Sequence, residues 1–232
     1  MILDMKKDLY HGSARILKKP IYGFGTTEKD YGRGFYCTEI EDMAKEWSTG
    51  EDHDGFANHY VLETTGLSVL NLNSPETTIL HWLAILLQNR TFPITSSLAQ
   101  DAKDYLLRTF LVDYADYDVM YGYRADDSYF SFAQDFLNGT ISLEKLNEAM
   151  HLGKYGMQYV LKSRRAFSRL KFVDAAPALR DPWFIRKTAR DETANGTYLG
   201  ARKKRIAGQL YIPEILDNAI GPKDERLLRA LS

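Results

Sequence analysis

Asp30-Tyr31-Gly32-Arg33-Gly34-Phe35-Tyr36-Cys37-Thr38 is the stretch on which the fold turns. Two glycines two residues apart end a loop, and the residues after them switch to aromatic and β-favouring types. Residues 34–38 therefore read as a strand leaving a Gly-rich turn. Upstream, residues 8–13 (DLYHGS) read as a short strand running into a turn, and Pro20 with Gly12, Gly23, Gly25, Gly32 and Gly34 marks the connection as loop. Downstream, Thr38 and Glu41 form a T-x-x-E capping box, which predicts a helix carrying Met43, Ala44 and Trp47 on one face. Residues 58–64 read as the next strand.

Beyond these, Ser74 and Pro75 stand as N-cap and first residue of a helix over 75–89, and a second helix is expected over 99–112. A short strand is expected at 118–122, a helix over 127–138 stopped by Gly139, and one capped by Ser142 and stopped by Gly153. Residues 157–162 and 170–173 read as strands, and 183–194 and 223–231 as tail helices. The stripe Ile79, Leu80, Trp82, Leu83 and Leu87 reads as core. With no repeat, low-complexity tract or linker, the expectation is one α+β domain. Residues 1–175 form its body, with a helical insertion at about 74–153, and 176–232 form a basic helical extension packed on it.

The composition is globular: of 232 residues 44% are hydrophobic and 26% charged, which excludes a disordered chain, a collagen-like repeat and a coiled-coil rod. A single cysteine, Cys37, allows neither an intrachain disulfide nor a Cys-rich zinc site. The N-terminus lacks an apolar signal segment, and the most apolar stretch, 79–87, is far short of a membrane span. A cytoplasmic setting without membrane partner is expected, although delivery by a dedicated secretion machine leaves no such mark. Charge is uneven: residues 180–205 hold eight bases against three acids, leaving the remainder of a chain of net charge -1 acidic. That segment is either a patch for phosphate or nucleic acid, or a helix docked on the acidic body.

Several residues carry possible chemistry. His11, at a strand end before Gly12 and Ser13, can donate and accept hydrogen bonds, and a glycine beside it lets a ligand approach the backbone. Tyr36 and Trp47 either stack on both faces of a flat cationic ring or pack on each other. Arg33 can reach a pyrophosphate or remain a solvated loop charge; Ser13 and Thr38 can bond ribose or carboxamide. The tyrosines at 114, 117, 121, 123 and 129 read as a core rim or as an acceptor-facing surface. Cys37 is expected buried on the strand face opposite Tyr36, not as a nucleophile. Phosphate-loop, nucleophile-elbow and Rossmann spacings are missing, and no H-x-x-x-H pair suggests a metal.

The order Y-H-G-S, Gly-rich loop, G-F-Y-C-T, then a helix with A-x-x-W resembles the NAD-binding half of mono-ADP-ribosyltransferases, in the diphtheria-toxin-like and poly(ADP-ribose)-polymerase-like branch. The stretch D-Y-G-R-G-F-Y-C-T with Y-G-Y-R-A-D-D-S-Y-F and G-M-Q-Y-V-L-K-S also resembles an uncharacterised bacterial family of this fold, whose members often look like toxins of toxin–antitoxin pairs. The resemblance implies a split β-sheet core and NAD as substrate, without metal. It implies transfer of ADP-ribose to a protein or nucleic-acid acceptor, and an antitoxin protein as partner where the chain is such a toxin. It implies that His11 holds the adenosine ribose and nicotinamide amide, that the Gly12 backbone bonds the carboxamide, and that Tyr36 and Trp47 sandwich nicotinamide. The branch usually places a Glu on a late strand; here that position is Gln158. Either Gln158 suffices, or a carboxylate from elsewhere completes the site, with Asp126 and Asp127 as candidates and one of them capping the helix that follows.

Overall fold

The computed structural model describes residues 5–125, 127–150, 156–201 and 205–231. Its first half alternates strands and one helix: β1 (Lys6–Ser13), β2 (Phe35–Cys37), α1 (Glu41–Ser48), β3 (Gly55–Glu63) and β4 (Val69–Asn71). There follow α2 (Ile79–Asn89), α3 (Ser97–Phe110), β5 (Val119–Tyr123), α4 (Asp127–Leu137) and α5 (Leu143–Ala149). The chain then continues through β6 (Met157–Leu161), α6 (Arg164–Ser168) and β7 (Leu170–Ala178) to α7 (Arg180–Ala201), α8 (Ile212–Asp217) and α9 (Glu225–Ala230).

These strands make two sheets. β1, β3 and β7 form an antiparallel three-stranded sheet, and β2, β6, β5 and β4 a four-stranded one in which only β4 and β5 run parallel. Among the described residues a single bridge, Tyr10 to Thr38, joins the sheets, with N–H to carbonyl bonds of 2.7 and 2.9 Å. The chain is thus α+β with its sheet divided at the β1–β2 seam.

Strand alternation decides what each face buries. Tyr159 and Leu161 of β6 join Phe35, Cys37, Leu9 and Tyr60 in one core; Val160 between them joins a larger core with Met120, Trp82, Phe110 and Phe132. The second sheet is therefore covered on both faces. Its helical cover is most complete at α2, which is buried from Ile79 to Leu87, as an apolar all-round helix must be.

Several boundaries differ from the sequence reading. α1 starts at Glu41 with Ile40 as an N-cap that makes no side-chain bond; the expected capping box does not form, because Thr38 is held in the inter-sheet bridge and its Oγ1 accepts from the Ile40 N–H at 3.2 Å. α2 starts four residues later than expected. Ser74-Pro75 makes a turn closed by the Thr77 N–H, and the true cap is Thr78, paired reciprocally with His81. The expected insertion at 74–153 is interrupted by β5, an inner strand of the second sheet, and the boundary expected at 175 falls inside β7. Gly153 and Asp126 lie outside the described residues.

Candidate functional site

The seam between the sheets gathers most of the residues singled out by sequence. At the end of β1, His11 lies 2.7 Å through Nδ1 from the Tyr36 carbonyl, and its ring sits 4.3 Å from that of Phe35. Since a carbonyl only accepts, Nδ1 carries the proton and Nε2 is left as the acceptor of the neutral ring. Burial lowers the His11 pKa, opposed by the bond to Tyr36, so the ring is neutral at pH 7. The turn after it is held by Asn58, fully buried and in register with His11. Its Nδ2 donates to the His11 carbonyl, Ser13 Oγ and the Arg15 carbonyl, and its Oδ1 accepts from the Leu17 N–H. Ser13 Oγ donates back to the Arg15 carbonyl at 2.5 Å, so its hydroxyl proton serves the turn.

Gly12 is required for a different reason from the one expected. A Cβ there would run into the Ala44 carbonyl oxygen and lie 2.9 Å from Trp47 Cβ. It is α1, not a ligand, that approaches this backbone, and the contact fixes Trp47 beside the seam. One face of the Trp47 ring is covered by the Arg124 guanidinium at 4.4 Å. Its buried Nε1 has no hydrogen-bond partner among the described residues. No ring contact joins Trp47 to Tyr36 among the described residues.

Tyr36 and Gln158 project from the same face of the second sheet, because Tyr36 pairs with Val160 and Gln158 lies two residues on. The short loop before β2 holds both. Tyr36 donates its hydroxyl to the Gly32 carbonyl at 2.6 Å and accepts from the Tyr31 N–H; Gln158 donates through Nε2 to Asp30 at 3.1 Å and to the Tyr123 carbonyl at 3.3 Å. Burial pushes the Tyr36 phenol well above its usual range, so it stays protonated. Lys162, two residues past Val160, donates to the Tyr31 carbonyl at 2.5 Å, and burial pulls its pKa down to about 8.

Asp30 lies in the loop before β2, yet it is only 6% exposed and binds three donors: Gln158 Nε2, the Ala125 N–H at 2.9 Å and Arg90 at 3.0 Å. It is therefore the carboxylate beside Gln158. Asp126 lies outside the described residues; Asp127 opens α4, and its side chain lies outside them too. Arg33 is exposed on the same loop, and Thr38 is buried at the bridge. Cys37 is buried on the face opposite Tyr36, where burial raises its thiol pKa. The rim tyrosines Tyr114, Tyr117 and Tyr123 pack on the larger core and Tyr121 on the smaller; the Tyr129 side chain lies outside the described residues.

The basic extension docks on α1. Arg186 reaches Asp42 at 3.0 Å and Glu46 at 3.3 Å, and Arg190 pairs with Glu46 and lies 3.3 Å from Met43 Sδ. Trp183 lies against both Lys45 and Arg186. Arg180 donates its N–H to Asp54, and Arg205 pairs with Glu214. Of the two readings of the basic segment, docking on the body accounts for Arg180, Arg186 and Arg190, while Arg205 pairs within the extension itself; residues 202–204 lie outside the described residues.

Two concave surfaces lie away from His11. One of about 560 Å³ is formed by residues 72–79 with Tyr123, Asn147 and Leu228, and one of about 360 Å³ by Tyr10, Glu41, His59 and Asp174 on the outer side of the first sheet. Among the described residues no group of acids, histidines and cysteines could hold a metal, and no helix is long and apolar enough to cross a membrane.

The fold is thus a split-sheet α+β domain whose seam carries a neutral histidine, an indole and a buried Gln–Asp pair. The chain belongs to the protein family of unknown function DUF3990, whose profile matches residues 7–172, from β1 into β7. No curated relative and no solved structure matches the chain.

Proposed function

We propose that the chain is an NAD-dependent mono-ADP-ribosyltransferase working at the β1–β2 seam. The observation that carries this reading is the His11–Tyr36 bond, which sets a neutral histidine between two sheets with Trp47 and Gln158 on the adjoining elements. The order of these elements along the chain is the one which the resemblance of the Y-H-G-S, G-F-Y-C-T and A-x-x-W motifs implies, although the His11 ring lies against Phe35, on the face of the second sheet opposite Tyr36 and Gln158. His11 Nε2 accepts from a ribose hydroxyl. The indole N–H of Trp47, buried without partner, is a donor that a ligand carbonyl can satisfy, and its ring is a platform for the cationic nicotinamide. Arg124 already covers one face of that ring, so a flat ligand takes the other face or displaces the guanidinium. Arg33, exposed on the adjoining loop, meets the pyrophosphate.

In the reaction the bond from the anomeric carbon to the nicotinamide nitrogen breaks, and its electron pair leaves with nicotinamide. The acceptor atom bonds that carbon and loses its proton to solvent. The chain's part is mainly positioning. The acceptor is a protein or a nucleic acid, and an antitoxin protein is the expected partner of a chain acting as a toxin. Docking of the basic helix on α1 removes Arg186 and Arg190 as free phosphate ligands and weakens the reading of residues 180–205 as a nucleic-acid patch.

The test is incubation with labelled NAD and a cell lysate, treated separately with nuclease or protease, with His11→Ala as control. Label transfer that requires His11 supports the reading, and the treatment that abolishes the signal identifies the acceptor class. Free nicotinamide without labelled macromolecule marks a glycohydrolase. NAD binding without either product marks a binding protein that does not transfer.

A further inference from the structure

We infer that Asp30 is the positioning residue of the candidate site, fixing the Gln158 amide so that its oxygen, and not its nitrogen, faces the reacting ribose. The inference rests on the reading under Proposed function. It begins with donors and acceptors. A carboxylate and a carbonyl flank Gln158: Asp30 Oδ2 at 3.1 Å and the Tyr123 carbonyl at 3.3 Å. Both only accept, so the amide NH2 must face them, and both of its protons are used. The flipped amide would set Oε1 against two acceptors inside a site where Gln158 is 3% exposed, which is strongly unfavourable. Oε1 is left without a donor among the described residues and lies on the sheet face shared with Tyr36.

Asp30 also supplies the charge that a glutamine lacks. It is nearly fully buried; its Oδ1 accepts from Arg90, and its Oδ2, the oxygen that takes the Gln158 amide, also accepts from the Ala125 N–H. A carboxylate accepting from an amide N–H polarises it and draws negative charge toward Oε1. The pair thus presents one acceptor oxygen with partial negative charge where the resembling branch presents a glutamate oxygen. Each residue comes from a different part of the chain, Gln158 from β6 and Asp30 from the loop before β2. The Arg90 ion pair anchors that loop to the C-terminal end of α2.

The test compares the wild type with Asp30→Asn, Gln158→Glu and the exchange variant carrying both. NAD affinity is read by Trp fluorescence titration, nicotinamide release at saturating NAD by turnover, and folding by thermal melting. Asp30→Asn is expected to lower turnover by about tenfold to a hundredfold, the range that loss of an outer orienting partner commands, with NAD affinity changed less than about threefold. Gln158→Glu sets two carboxylates side by side and is expected to lose turnover too. The exchange variant restores one amide and one acid, and is expected to recover at least tenfold over Gln158→Glu. Unchanged turnover in Asp30→Asn, or no recovery in the exchange variant, overturns the inference. A readout independent of turnover is the Gln158 side-chain NH2 pair in NMR, expected to be slow to exchange in the wild type and fast in Asp30→Asn. Fast exchange in the wild type overturns the inference even if NAD is turned over. Slow exchange in a wild type that binds no NAD sinks the proposed function and the catalytic role of the pair together, while leaving the fixed amide standing.

Discussion

Two buried acids, Asp30 and Glu46, each lie under arginine, and they do different things. Asp30 binds one arginine, one backbone N–H and one amide, drawn from α2, the end of β5 and β6. Glu46, 2% exposed, meets Arg186 and Arg190, both from α7. Asp30 joins elements that already share a core, so its bonds set the geometry of side chains within it. Glu46 joins α1 to a helix that its own sheet does not pair with, so its bonds decide whether α7 stays docked. Burial raises the Glu46 pKa while the arginines pull it down. The difference teaches that a buried ion pair is informative through what its partners belong to, more than through its strength.

The largest expected effect is at the first acid. Asp30→Ala leaves Arg90, the Ala125 N–H and Gln158 facing a cavity, and is expected to lower stability by about 3–5 kcal/mol, as breaking a buried pair from one side does; a denaturant midpoint measures it. Glu46→Gln keeps the shape and removes the charge, and is expected to cost about 1–3 kcal/mol. Its effect should also be local. Amide exchange should speed up in residues 183–193 and stay slow in β3 and β6, and a uniform increase would break the contrast.

Neither acid's role was legible in the sequence, and the reason is distance along the chain. Asp30 meets partners 60, 95 and 128 residues away, and Asn58 serves a turn over 40 residues upstream. No local pattern encodes such contacts. The strands carrying His11, Tyr36 and Gln158 were legible because alternation and glycine punctuation are local. The three-residue β4 and the five-residue α6 are too short to show a period. Helix starts went wrong where two caps competed: Ser74-Pro75 carries the stronger cap signature, but Thr78 has His81 three residues on to complete the box. The glycine at 12 points to a close approach in the sequence but not to what approaches: the sequence reading expects a ligand, and the group found there is α1.

Acid should act on the seam. Burial depresses the pKa of His11, and also that of His81 in the α2 cap. In the unfolded chain these imidazoles titrate near about 6.5. The neutral rings' contribution is fully present above that pH and is lost as pH falls below it, where the unfolded chain takes up protons that the folded one resists. Stability is expected to fall between pH 7 and 5, with a shallower fall in His11→Gln, as read by thermal melting across pH.

The smallest expected effect sharpens the comparison from inside the Glu46 cluster. Arg186 and Arg190 share that carboxylate, but the Arg186 side chain is 57% exposed and that of Arg190 15%. Water and salt screen the first, so Arg186→Ala is expected to cost less than about 1 kcal/mol and to matter less still at high salt. Arg190 is held against Glu46 and Met43 where screening is weak, and Arg190→Ala, which strands the buried acid, should cost about 2–4 kcal/mol. Equal losses in the two variants would mean that charge number rather than burial holds α7 to α1. Glu46 would then be a surface pair like any other, and the contrast with Asp30 would fail.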